Sequence, residues 1–135
     1  MAPMRYLHIV LGLLMTAFAA VQYNDPDALL WIVIYLIPAA WAFVAAFQPG
    51  RLRSLAAERL LWVTVAAGVG ATVFHWPAVP GFWLREAWWA QGVARESLGA
   101  MIGNEETVRE GLGVMIGLAV LLVVLADVML RKVKA

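Results

Sequence analysis

The chain has 135 residues, of which 64% are hydrophobic and 14% charged, with a formal net charge of +1 and a mean hydropathy of +0.81. Soluble domains carry about 25% charged residues, so this composition excludes an ordinary soluble fold and points to one compact membrane unit. The absence of cysteine excludes disulfides, thiolate metal sites and cysteine nucleophiles, and leaves the redox compartment unread.

A hydrocarbon core of about 30 Å needs about 20 helical residues. Apolar runs over roughly 6–22, 28–48, 60–76 and 108–130 fit that length, the first and third with help from their flanks. Helix is the expected form, because an open strand edge in lipid leaves backbone groups unpaired. The expected fold is therefore an all-α, four-helix transmembrane bundle, a single integral membrane domain over 1–135.

The first span carries His8, Gly12, Thr16, Ala19 and Tyr23 within one face. Small and polar residues at that spacing let membrane helices approach closely, so this face points inward. His8 lies at the cytoplasmic end and reads as an interfacial residue. Arg5, the apolar run and Ala17-Phe18-Ala19 also fit a secretory signal with a small-residue cleavage site. The polar stripe makes better sense if the helix is retained.

Between spans one and two lies the polar hinge Gln22-Tyr23-Asn24-Asp25-Pro26-Asp27. Proline suits the first helical position and an acid before it caps free N–H groups, so Asp25 is the expected N-cap and Pro26 opens the helix. Asp27 then places an anion on the positive end of the helix dipole. Trp31, Tyr35 and Pro38 follow on the same broad face. A helix start with an interfacial aromatic belt accounts for part of this pattern. The crowding of so many polar side chains exceeds what a cap requires.

The link to span three carries Arg51, Arg53 and Arg59. Span three has a stripe of Thr64, Gly68, Ala71 and His75. The connection that follows, over roughly 82–103, mixes Trp83, Trp88 and Trp89 with Arg85, Glu86, Arg95 and Glu96. An amphipathic helix lying in the membrane interface is its expected form, as an anchor more than as a lid. Asn104 is the expected N-cap of the fourth helix, whose inner stripe is Glu106, Arg109, Glu110, Gly113 and Gly117.

Seven of the ten basic residues fall at Arg5, in the span two to three link and at Arg131, Lys132 and Lys134. By the positive-inside rule both termini are cytoplasmic and the acidic hinge faces outward, the expected location being a bacterial inner membrane. This topology gathers the hinge, His75 and the Glu106/Arg109/Glu110 group in one outer layer. The ligand-binding candidates are Gln22, Tyr23, Asn24, Asp25, Asp27, Trp31, Tyr35, Glu106, Arg109 and Glu110. As metal ligands, Asp25, Asp27, His75, Glu106 and Glu110 offer oxygens suited to Ca, Mg or Mn and an imidazole suited to Zn or Fe, although their spacing matches no known motif. Paired carboxylates there also suit acid/base work, while an Arg109 salt bridge that pins two helices is the structural reading. No phosphate loop, serine nucleophile beside histidine or basic aromatic surface for nucleic acid is present.

Gln22, Asn24-Asp25-Pro26-Asp27, Trp31, Tyr35, Pro38 and Ala39, with Glu105-Glu106, Arg109-Glu110 and Gly113, resemble the transmembrane protein 220 family of small polytopic membrane proteins. The resemblance covers spans one and two and the start of span four. It implies a four-helix fold whose common polar feature is the hinge with the Glu/Arg/Glu start of span four, and it carries no activity with it.

The expected function is the binding of a cation or polar head group at the acidic outer end, with no cofactor identifiable beyond a divalent cation and no catalytic residue assigned. The alternative is a non-catalytic accessory subunit packed on partner membrane subunits or on further copies of itself. A proton-coupled transporter ranks third, because its acid belongs near the midplane and, apart from Asp127 near the cytoplasmic end of span four, the spans hold no such acid.

Overall fold

A computed structural model describes residues 2–24, 26–75 and 104–134, and their side chains apart from those of residues 2, 24, 75 and 104–110. The interfacial segment expected over 82–103 lies outside the described residues, as does Asp25. Helices α1 (Ala2–Ala20), α2 (Ala28–Phe47), α3 (Leu55–His75) and α4 (Asn104–Lys134) are joined where described by single 3₁₀ turns at Val21–Asn24 and Pro49–Arg53. All four are long and apolar enough to cross a membrane, with spanning stretches Pro3–Tyr23, Ala28–Phe47, Leu55–Phe74 and Gly111–Lys134. The chain is thus an integral membrane protein in contact with lipid.

Local chemistry sets the helix starts. Ser54 ends the Pro49–Arg53 turn in an extended conformation, with φ −71° and ψ 148°. Its hydroxyl accepts the Ala57 N–H at 3.1 Å, and its carbonyl accepts the Glu58 N–H at 3.0 Å. This cap starts α3 at Leu55, well before the apolar run itself begins. The hinge differs from expectation in the same way. The N-cap of α2 is Asp27, with φ −100° and ψ 33° and no side-chain cap hydrogen bond. The helix is closed there by the backbone, Trp31 N–H donating to the Asp27 carbonyl at 3.2 Å.

Helix α1 packs mainly on α2, α3 mainly on α4, and α2 against α4 joins the two pairs. The core is built from small and branched side chains, among them Met15, Ala39, Ala42, Leu61, Val120 and Val124. Lipid contributes no hydrophobic drive between helices, so close approach has to supply the attraction. Two glycines carry that approach. A Cβ on Gly12 would lie 2.7 Å from the Phe43 ring of α2. One on Gly113 would clash with the Tyr35 hydroxyl and stand 2.8 Å from Tyr35 Cζ. Pro38 interrupts the hydrogen-bond ladder of α2 but is buried against α4, where a Cβ on Gly117 would lie 3.6 Å from Pro38 Cγ.

Candidate functional site

The first polar region lies where α2 begins. Trp31 and Tyr35 are both buried, their ring centroids 5.9 Å apart, and Phe18 of α1 meets Tyr35 edge-on at 5.8 Å. The absent side chain of Gly113 leaves room for the Tyr35 ring tip beside α4. Small residues on α3 and α4, Gly68, Ala71, Gly113 and Gly117, help leave a groove of about 410 Å³ between α2, α3 and α4. Asp27 lines it at the start of α2, and most of the remaining wall is apolar. Thr64 also lines it, but its hydroxyl donates to the Leu60 carbonyl at 2.8 Å and is already satisfied.

The residues expected at this end divide. Asp27, Trp31 and Tyr35 line one groove. Gln22 is buried, but its Nε2 donates to the Phe18 carbonyl at 3.2 Å, closing the end of α1. Tyr23 is 75% exposed and Thr16 is exposed, its hydroxyl donating to the Gly12 carbonyl at 2.8 Å, so the inward face of α1 is His8, Gly12, Met15, Ala19 and Gln22. The inner stripe drifts because an α-helix turns 3.6 residues per turn, so steps of four alone leave the buried face. Asn24 ends the first 3₁₀ turn, His75 ends α3, and Glu106, Arg109 and Glu110 fall in the first part of α4; their side chains lie outside the described residues. Among the described residues, no group of three or more His, Asp or Glu side chains stands close enough to hold a metal ion.

The opposite end holds a polar cluster that sequence reasoning missed. His8 is fully buried, contrary to its expected interfacial position, and its Nε2–H donates to Asp127 Oδ2 at 2.8 Å. Asp127 Oδ1 accepts from Arg131 Nε at 3.1 Å, one helical turn further along α4. The His8 Nδ1 is buried with no hydrogen-bond partner among the described residues. Nearby, Lys132 pairs with Glu58 and so ties the end of α4 to the start of α3. The signal for this cluster was present: Asp127 is the one acid of the spanning stretch Gly111–Lys134, and an ionisable group at such depth needs a partner. Topology had already put His8 and Asp127 at the same end.

A family model described as "Transmembrane family 220, helix" matches residues 14–126. The matched stretch contains the hinge, the groove-lining parts of α2, α3 and α4, and the glycine that receives Tyr35. No solved structure matches the chain.

Proposed function

The chain belongs to transmembrane family 220, and for it we propose a binding function: the α2/α3/α4 groove holds one amphiphile, its chain along the helices and its polar head group at Asp27. The observation that carries this reading is the groove itself, apolar along its length with a carboxylate at the end where α2 begins. Between Asp27 and Pro38 the axis of α2 rises about 16 Å, close to one leaflet of a hydrocarbon core of about 30 Å. A cationic or hydrogen-bond-donating head group suits this end, because the full charge of the Asp27 carboxylate outweighs the partial positive charge at the start of α2. The positive-inside distribution supports an orientation with this mouth on the non-cytoplasmic side.

The test is native mass spectrometry of the protein released from lipid, with Ala67→Trp as the competing variant. Ala67 is exposed and lines the groove, so the indole fills it from the α3 side without entering the core. Wild type should retain one amphiphile that Ala67→Trp loses, and Asp27→Asn should change which head group is retained. Equal retention by wild type and Ala67→Trp would remove the groove from consideration.

A further inference from the structure

A second cavity, of about 310 Å³, lies between the Pro49–Arg53 turn and the end of α4. Arg53, Arg131 and Lys132 line it together with one acid, Asp127, and its apolar wall is Pro49, Leu52 and Val128. The charge of that acid is already engaged, one carboxylate oxygen by His8 Nε2 at 2.8 Å and the other by Arg131 Nε at 3.1 Å. Arg131 gives Asp127 only its Nε, so the two terminal nitrogens of its guanidinium remain for another acceptor. Lys132 is paired with Glu58, whereas Arg53 has no ion-pair partner among the described residues.

We infer that this cavity binds the phosphate of an anionic phospholipid, and that His8 and Asp127 are positioning residues that hold Arg131 for it. The guanidinium fork matches a phosphate oxyanion with two parallel N–H bonds, provided its rotation is fixed. The His8–Asp127–Arg131 chain fixes it from behind, which gives a buried imidazole and carboxylate a purpose beyond joining α1 to α4. Basic pockets between helices at membrane depth suit anionic head groups, and the apolar wall accommodates the first part of the acyl chains. The spanning stretch Gly111–Lys134 ends here, so the cavity sits at head-group level. The site is at the far end of the bundle from Asp27 and does not depend on the amphiphile reading.

The experiment uses the full chain in neutral detergent and titrates dioleoyl phosphatidylglycerol, dioleoyl phosphatidylcholine and inorganic phosphate separately, reading melting temperature and lipid retention. With the α2/α3/α4 groove closed by Ala67→Trp, phosphatidylglycerol should raise the melting temperature and be retained, and phosphatidylcholine should do neither. Arg53→Gln, at an exposed position, should weaken apparent phosphatidylglycerol affinity about fivefold. His8→Leu should reduce the preference for phosphatidylglycerol over phosphatidylcholine, whereas Ala19→Leu, which overpacks the buried face of α1 at the end away from the cavity, should preserve it. Equal retention of the two lipids, or an unchanged preference in Arg53→Gln, overturns the site. A full shift from inorganic phosphate alone overturns its assignment to lipid, and an unaltered preference in His8→Leu overturns the positioning role.

Discussion

The imidazole of His8 and the carboxylate of Asp127 are held inside the bundle by the hydrogen bond between them, so much of their energetics belongs to the pair. Removing one member of a buried pair typically costs about 3–5 kcal/mol, whereas replacing both by apolar side chains of similar size is often neutral or better. Asp127→Leu alone should therefore lower the melting temperature sharply, and His8→Leu/Asp127→Leu should recover most of the loss. Two independent losses that simply add would contradict the pairing. A second residue-scale contrast separates two glycines of one stripe. Gly113→Ala drives a methyl into Tyr35 and should cost about 1–3 kcal/mol, while at Gly117 the nearest atoms, Met15 Cε at 3.5 Å and Pro38 Cγ at 3.6 Å, leave ordinary contact distances. Gly117→Ala should melt near wild type, and Gly113→Ala/Tyr35→Phe should regain part of the Gly113 loss. The glycine stripe was legible because period and residue size both announce it. The particular partner was not, since whether Gly113 or Gly117 receives an aromatic ring depends on the relative shift of two helices, which no periodicity encodes.

At the scale of the element, the starts of α2 and α3 show two ways of opening a helix. Ser54 closes α3 with its side chain, so Ser54→Ala should cost about 1 kcal/mol and Ser54→Gly only a few tenths, read as melting temperature in detergent. Equal effects of the two would mean that the hydroxyl contributes nothing. Asp27 opens α2 without a side-chain cap bond. That difference explains why the number and type of helices could be read from hydropathy while their first residues could not. The third continuous apolar run begins only at about residue 60, because Glu58 and Arg59 interrupt the first turn of α3, and the cap that starts the helix lies before that interruption. In the hinge, Asp25 before Pro26 was the expected cap, whereas Asp27 holds the N-cap position with φ −100° and ψ 33°, and the helix opens at Ala28.

For the whole molecule, four apolar runs in a chain of this length leave few arrangements, and α1 pairs with α2 and α3 with α4 although the short turn also makes α2 and α3 neighbours in sequence. What brings α2 onto α4 is the complementarity of Tyr35 and Pro38 with Gly113 and Gly117, a three-dimensional fit seen in the sequence only as two stripes. The candidate site divided accordingly. The Asp27, Trp31 and Tyr35 face was legible from helical spacing, whereas the His8–Asp127–Arg131 cluster required the start of α1 to be set beside the end of α4. Orientation is testable in a chain that lacks cysteine: Tyr23→Cys, at an exposed position, should react with an impermeant thiol reagent on intact cells and Ser54→Cys should not, while the reverse pattern would invert the topology. The His8–Asp127 contact also joins residues 119 positions apart. At about 5–20 residues added per second, His8 leaves the ribosome about 6–24 s before its partner does. During that interval α1 and α2 have to reside in the bilayer as a hairpin with an imidazole awaiting its acid. Completion of the bundle is then timed by the synthesis of α4, whose arrival supplies both the carboxylate for α1 and the glycine notch for Tyr35.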